Sequence, residues 1–139
     1  MVFSSKSRYA IIVLMDLGLW GRKDFRTIKE ISTQWKISSR YISRLVLPLR
    51  KKGFIESRLG PNGGHRLAMN PKDIRILDVI DTMDSPFNIS NCMINPKSCA
   101  RFKECKSYSV WQQVNNDVRE VFAKLTLKKL IANYPEYEL

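Results

Sequence analysis

The spacing of apolar residues changes its period near the middle of the chain, and this change constrains the fold more than any other feature. Between residues 38 and 52 the apolar residues recur every three or four positions, so they form one stripe of a helix that faces a core. Residues 54–58 and 65–68 then read as two short strands around a turn rich in glycine and proline, which predicts a β-hairpin. The helical stripe consists of Ile42, Leu45, Val46 and Leu49.

Two further helices are predicted before this one. The first has apolar residues at helical spacing and ends near Gly21. Thr27 followed three residues later by Glu30 is a capping-box pattern, which predicts the start of a short second helix. Ser38 or Ser39 can cap the third helix after a turn. Helix, helix-turn-helix and hairpin follow one another as in a winged helix-turn-helix domain, with the hairpin as the wing.

Pro48 interrupts the pattern of the third helix. Because proline lacks an amide donor, we expect it to kink or end the regular helix near Leu47. Gly53 then provides a C-terminal cap. A fourth helix is predicted over residues 73–83, where apolar residues again have helical spacing, and it closes the winged domain.

The C-terminal part of the chain is predicted to contain a long helix with an apolar stripe that needs a partner. The stripe residues are spaced by three and four, as in a heptad seam, so we expect a dimer interface. The stripe covers only about two heptads, and packing against the helix's own domain is the alternative. The predicted fold is mainly α with a small β-hairpin: a winged helix-turn-helix domain (1–84), a cysteine loop (85–105) and a dimerisation helix with a tail (106–139). The stripe comprises Trp111, Val114, Val118, Val121 and Leu125.

The charge of the chain points to a polyanionic partner. Lysine and arginine total 24 against 13 acidic residues, which leaves a net charge of +11. Between residues 36 and 66 the only acid is Glu56, so the positive charge is concentrated on the predicted helix-turn-helix and wing. The basic residues of this stretch are Lys36, Arg40, Arg44, Arg50, Lys51, Lys52, Arg58 and Arg66.

These residues predict a surface that binds double-stranded DNA. Arg40, Ser43 and Arg44 near the start of the third helix are candidates for base contacts in the major groove. The wing tip, residues 62–65, is expected to lie along the minor groove, with Arg58 and Arg66 on phosphates. The alternative is an ordinary solvated basic face. The full candidate set is Ser39, Arg40, Ser43, Arg44, Lys51, Arg58, Asn62, Gly63, His65 and Arg66.

The three cysteines of the chain, Cys92, Cys99 and Cys105, lie close together in the predicted loop. An odd number of clustered cysteines is a poor disulfide framework and a better candidate for metal binding in the cytoplasm. Zinc sites usually contain two closely spaced cysteines, and iron-sulfur clusters commonly use four thiolates. A fourth ligand could be Glu104, Tyr108, an acid of a partner subunit or an exogenous group. Three unligated thiols are the alternative.

Several segments together resemble the Rrf2 family of transcription regulators. They are residues 5–10, 49–54 and the wing 60–67, with the three cysteines, and the likeness covers nearly the whole chain. The resemblance implies a dimer that crosses long C-terminal helices. It also implies that the three cysteines ligate a [2Fe-2S] or [4Fe-4S] iron-sulfur cluster, as in the IscR, NsrR and RirA members. Tyr108 stands where IscR-like members have a histidine, and Arg8 where some nitric-oxide sensors have an aspartate.

The sequence therefore predicts a homodimeric, cytoplasmic DNA-binding regulator of the repressor type that senses iron, redox state or nitric oxide through its cluster. A cluster-free regulator with reactive thiols is the first alternative, and a protein-interaction module or an electron carrier is the second. No enzyme is expected, because neither a nucleophile with its base nor a phosphate-binding glycine loop is recognisable. A membrane partner is not expected either, because the apolar stretch of residues 9–20 is short and contains Asp16.

Overall fold

The computed structural model describes residues 3–21 and 23–134. Positions 1–2 and 22 of the predicted winged domain and positions 135–139 of the predicted tail lie outside the described residues. Within these ranges the chain forms a mostly helical fold with one antiparallel two-stranded sheet, as predicted. None of the helices in the described ranges has the length and apolar character needed to cross a membrane. The elements are α1 (Ser5–Trp20), α2 (Ile28–Trp35), α3 (Ser39–Lys51), β1 (Ile55–Arg58), β2 (Gly64–Leu67), α4 (Ile76–Met83), α5 (Asn91–Ile94), α6 (Tyr108–Lys124) and α7 (Leu127–Ala132).

The predicted caps of α2 and α3 are confirmed. The Thr27 hydroxyl accepts a hydrogen bond from the Glu30 amide, and the Glu30 carboxylate accepts one from the Thr27 amide in return. Ser38 is the cap of α3, since its hydroxyl accepts from the Tyr41 amide. Between the two helices Lys36 adopts the left-handed conformation with φ 54°. This tight turn gives the helix-turn-helix.

Pro48 was expected to kink or end the regular helix near Leu47, and an end there is wrong, because the helix continues to Lys51. Proline removes only the one hydrogen bond that its own amide would donate to the Arg44 carbonyl, and this occurs in the last turn. The carbonyl of Pro48 still accepts from the Lys52 amide at 3.0 Å. Burial of Val46 and Leu49 on either side of the proline holds the helix together.

The main core surrounds α1, which packs against α3, α4, α7 and β2. Four residues of α1, Ala10, Val13, Leu14 and Leu17, are almost completely buried. A second apolar cluster lies between α4 and α6 and contains Ile76, Leu77, Ile80 and Phe87. The C-terminal helix α7 returns to the main core, where Leu127 is fully buried.

The wing is attached to the segment between α1 and α2. In the hairpin Ile55 pairs with Leu67, and Arg58 pairs with Gly64. On the other side of β2, Arg26 and His65 exchange two backbone hydrogen bonds of 2.8 Å. The chain passes so close here that a Cβ atom on Gly64 would lie 2.5 Å from the Arg26 carbonyl oxygen. The wing is therefore anchored beside the helix-turn-helix.

The fourth helix begins at Ile76, three residues later than predicted. Arg75 is extended and pairs with Thr126, so the chain before α4 forms a bridge to the chain before α7. A 3₁₀ turn occupies Pro71–Asp73 instead. The cysteine segment, residues 85–105, is made of α5 and two 3₁₀ turns, Pro96–Ser98 and Phe102–Glu104.

Candidate nucleic-acid interface and cysteine segment

The first half of α3 presents two unpaired arginines to solvent. Arg40 and Arg44 lie one turn apart on the exposed face, and neither forms an ion pair with any residue that the structure describes. Ser39 and Ser43 are exposed beside them, and the Ser43 hydroxyl donates to the Ser39 carbonyl at 2.9 Å. An unpaired guanidinium retains all its donors for an incoming base or phosphate. This face has the composition of a major-groove reader.

The end of α3 extends the positive face towards the wing. Arg50, Lys51 and Lys52 are all exposed, and Lys51 belongs to the predicted site. The nearby acid, Glu56 in β1, is already paired with Arg66 on the neighbouring strand. The positive charge of this surface is therefore only slightly reduced by its own acidic residues.

Arg58 and Arg66 of the predicted site hold the wing together. Both guanidinium carbons lie close to the centre of the Phe25 ring, at 4.3 and 4.4 Å. Arg58 also donates to the Asn62 carbonyl at 2.8 Å. The ring covers one face of each guanidinium, while the hydrogen bonds of Arg58 to Asn62 and of Arg66 to Glu56 use part of the N–H donors. Both positive charges remain in place. Phosphate binding by the two arginines stays a prediction.

The other wing residues of the predicted site differ in exposure. Asn62 is exposed at the turn, whereas Gly63 is buried and His65 is half-buried. The His65 Nδ1 atom lies 2.7 Å from the Ser57 hydroxyl. Burial, and secondarily the positive charge of Arg50, lowers the pKa of His65, so the neutral imidazole is favoured. Gly63 and His65 thus shape the wing, and Asn62 is the one of the three that is open to a groove.

A buried polar network behind this surface was not predicted. Asp16 of α1 is fully buried and accepts hydrogen bonds from Arg26 and Trp35. The sequence signal that could have revealed it is a single acid within an otherwise apolar helical face.

The three cysteines lie on different turns of the cysteine segment. Cys92 is half-buried, and its sulfur lies 3.1 Å from the Ser90 hydroxyl, whereas Cys99 and Cys105 are exposed. The side-chain hydrogen bond with Ser107 is the main cause that lowers the pKa of the Cys105 thiol. A lower pKa increases the thiolate fraction, which is the form that ligates metals and reacts with oxidants.

Three cysteine thiols are the kind of ligand that an iron-sulfur cluster needs, but their positions in this structure do not form a cluster site. Among residues 3–21 and 23–134, no three cysteine, histidine or acidic side chains are grouped closely enough to hold a metal ion. Glu104 is exposed, and Tyr108 packs its ring against Phe102 at 4.9 Å between centroids. The predicted ligand set is therefore present in the segment without being brought together.

The start of the cysteine segment is fixed to both α4 and α6. Arg119 of α6 donates to the Phe87 carbonyl at 2.6 Å and to the Asp81 carboxylate at 3.0 Å. Asn115, which is buried, accepts from the Ile89 amide at 2.9 Å. Residues 87–89 consequently connect the cysteines to the winged domain and to the long helix.

The predicted dimer stripe of α6 divides into two sets. Trp111, Val114 and Val121 are exposed, at 50, 39 and 65% of their surface. Val118 and Leu125 are half-buried and pack against the apolar cluster between α4 and α6. The helix thus packs on its own domain and still presents an apolar face.

Known proteins resemble this chain in sequence and in fold. Residues 3–133 match the model of the Rrf2 family, described as an iron-dependent transcriptional regulator. The HTH-type transcriptional regulator IscR of Pectobacterium atrosepticum is 29% identical over 133 residues, covering 96% of this chain and 80% of the relative. The solved structure of CymR, the global cysteine regulator of B. subtilis, is 25% identical with a TM-score of 0.77 and covers 97% of this chain and 99% of that one. T. potens IscR has the same fold, with a TM-score of 0.77 at 24% identity over 100% of this chain and 92% of that one. This chain belongs to the Rrf2 family of DNA-binding transcription regulators, and it is not an enzyme.

Proposed function

We propose that the chain binds a double-stranded promoter operator as a homodimer and represses transcription. The observation that carries this proposal is the pair Arg40 and Arg44 on the first half of α3, which are exposed and have no ion pair among the residues that the structure describes. In a helix-turn-helix domain this part of the recognition helix enters the major groove. Arginine can bind guanine there through two parallel hydrogen bonds.

The basic surface around α3 supplies the remaining affinity. Lys51 and its exposed neighbours lie at the end of α3, shortly before the wing begins at Ile55, and they would neutralise phosphates beside the groove. The exposed Asn62 at the wing turn would contact the adjacent minor groove. Arg58 and Arg66 would contact phosphate with the N–H donors that their hydrogen bonds to Asn62 and Glu56 leave open.

The exposed apolar face of α6 would be covered by a second copy of the chain. Val110 extends this face beside Trp111, Val114 and Val121. A two-fold dimer formed through α6 would give two recognition helices at the fixed separation that a palindromic operator requires. We thus assign DNA binding to residues 1–84, sensing to residues 85–105 and dimerisation to residues 106–139.

Sensing would take place in the cysteine segment. Cys92, Cys99 and Cys105 supply the thiolate donors of an iron-sulfur cluster, either [2Fe-2S] or [4Fe-4S], and would have to approach one another to hold it. The family description and the IscR relative support this assignment. A bound cluster would supply an iron centre that responds to iron, redox state or nitric oxide. The chain's own part is to connect the segment to α4 and α6 through Arg119 and Asn115.

A cluster-free thiol regulator is the second candidate. Two of the three thiols are exposed, and the three do not form a metal-holding group in the described ranges. The similarity to CymR, the global cysteine regulator of B. subtilis, supports this candidate. In both candidates the protein works in the cytoplasm, where thiols remain reduced.

The DNA-binding proposal is tested by selecting duplexes from a random library with the purified protein. We expect one palindromic sequence to be enriched, and its affinity to fall steeply as salt is raised, because several phosphate contacts release counterions. Random duplex of the same length is the control. Equal affinity for selected and random duplex would contradict the proposal of an operator.

The cysteine segment is tested by anaerobic purification followed by a visible spectrum and a count of iron and sulfide. A coloured protein that loses iron when Cys92→Ala is introduced, and keeps it when the exposed Ser85 of the same segment is changed in Ser85→Ala, would support the cluster. A colourless, iron-free wild-type protein would support the thiol regulator. Identical operator affinity with and without the cluster would exclude sensing by it.

A further inference from the structure

One buried carboxylate joins three parts of the winged domain. Asp16 of α1 has no exposed surface and accepts from Arg26 at 2.6 Å (Nε to Oδ2) and 3.2 Å (Nη2 to Oδ1). Its Oδ1 atom also accepts from the indole Nε1 of Trp35 at 2.8 Å. Arg26 is itself only 5% exposed, and its guanidinium lies over the Trp20 ring at 4.5 Å.

The two partners of Asp16 lead to the two elements that would contact DNA. Arg26 pairs through its backbone with His65 in β2, so its position sets that of the wing. Trp35 is the last residue of α2 and stands directly before the turn into α3. A single side chain is thus connected to the wing on one side and to the recognition helix on the other.

Stability alone does not account for a buried ion pair of this kind. Taking two charges out of water is costly, and well-packed apolar residues often stabilise a fold equally well. Charge-assisted hydrogen bonds, however, are directional and fix the relative orientation of their partners. The network is therefore better explained by a need to fix the relative orientation of Arg26 and Trp35 than by stability.

We propose that Asp16 is a positioning residue for DNA binding, which fixes the wing relative to α3 by holding Arg26 and Trp35 at the same time. The inference rests on the proposed function and deepens it. A recognition helix and a wing that occupy adjacent grooves of one duplex must keep a fixed separation. When the network is broken, the wing loses its minor-groove contact while α3 still reaches the major groove.

The test compares the footprints of the wild type and three variants on the duplex that the wild type selects. The variants are Asp16→Asn, which removes the charge, and Arg26→Lys, which keeps a cation but loses the two-pronged contact. Asp78→Asn changes the charge by the same unit at a partly exposed ion pair with Arg75 at the start of α4 and is the control. Hydroxyl radicals report protection in the minor groove, dimethyl sulfate reports guanine N7 in the major groove, and a urea titration reports folding.

We expect at least one folded variant to lose minor-groove protection and to bind about tenfold more weakly or worse, while guanine protection persists and Asp78→Asn behaves as the wild type. Folded variants with the wild-type footprint and affinity would overturn the inference. Loss of cooperative unfolding in both variants would overturn it too, because the network would then serve folding alone. A wild-type footprint without minor-groove protection would refute the role of the wing, and a wild type that selects no duplex would refute the proposed function instead.

Discussion

Two glycines of the wing turn differ in what surrounds them, and this difference predicts unequal costs of substitution. A Cβ atom on Gly63 would collide with the backbone of Arg58 and Gly60, whereas a Cβ on Gly60 would meet nothing within 4 Å. Gly60 has φ 102°, so alanine there has only a strained conformation. We expect Gly63→Ala to lower the free energy of unfolding by about 3 kcal/mol and Gly60→Ala by about 1 kcal/mol in urea titrations. Equal losses of unfolding free energy in the two variants would contradict the close backbone contacts described for Gly63.

His65 makes the stability of the wing depend on pH. Burial, followed by the charge of Arg50, lowers the pKa of His65 in the folded protein, so the unfolded chain takes up a proton more readily. The contribution of the neutral imidazole is complete above the ordinary histidine pKa of about 6.5 and is lost as the pH falls below it. We expect urea titrations to show a larger loss of stability on acidification in the wild type than in His65→Gln. Parallel curves would contradict this account.

Residues whose partners are near in sequence were predicted, and those with distant partners were not. Thr27 and Glu30 are three positions apart, so their reciprocal capping can be read from the pattern. Asp16 is bonded to residues 10 and 19 positions away, and its sequence context shows only an acid that interrupts an apolar stretch. Partners at such separations depend on the packing of α1 against the helix-turn-helix.

At the scale of elements, the capping box of α2 is expected to contribute measurably to stability. Thr27→Ala removes the acceptor for the Glu30 amide, and we expect a loss of about 1 kcal/mol in the free energy of unfolding. Thr33→Ala in the same helix is the matched control, because the Thr33 hydroxyl only donates back to the Lys29 carbonyl. Its effect should stay within about 0.5 kcal/mol. Equal free energies of unfolding for the two variants would show that the cap does not contribute more than an ordinary surface hydroxyl.

The helices and the hairpin were largely predictable, because each has a local periodicity and local caps. The continuation of α3 through Pro48 was not, since burial of Val46 and Leu49 in the core compensates for one missing hydrogen bond. The start of α4 was also misplaced, because the pairing of Arg75 with Thr126 is a contact between distant segments. The short turns of residues 91–104 have no periodicity that a sequence pattern could reveal.

At the scale of the whole molecule, the exposed face of α6 predicts how the chain associates. Val114→Glu combined with Val121→Glu places two charges on the apolar face, where burial against a second copy would be costly. We expect sedimentation to show a dimer for the wild type and a monomer for this variant.

Asn116→Glu is the control for this experiment, because Asn116 is exposed on the opposite side of α6. It should leave the dimer intact. A double variant that sediments as the wild type does would show that the apolar face is not the dimer interface.

The charge of the chain and its resemblance to a family predicted a DNA-binding surface, and the structure adds which cations are free. Arg40 and Arg44 have no ion pair in the described ranges, whereas Arg58 and Arg66 are engaged within the wing. Sequence patterns predict the sign of the charge on a surface, but they do not predict which charged side chains pair with one another. The first two arginines therefore provide the sharpest test.

The most direct measurement is the affinity of Arg40→Ala/Arg44→Ala for the selected duplex, compared with Lys128→Ala/Lys129→Ala. The control removes two positive charges from the exposed side of α7, a helix that packs on α1 and contributes no residue to the proposed interface. We predict that the arginine variant stays folded and binds about a hundredfold more weakly or worse, since each lost two-pronged contact costs about 1–3 kcal/mol, while the lysine variant changes little. A folded arginine variant that binds as tightly as the wild type would contradict the assignment of α3 as the DNA-reading helix.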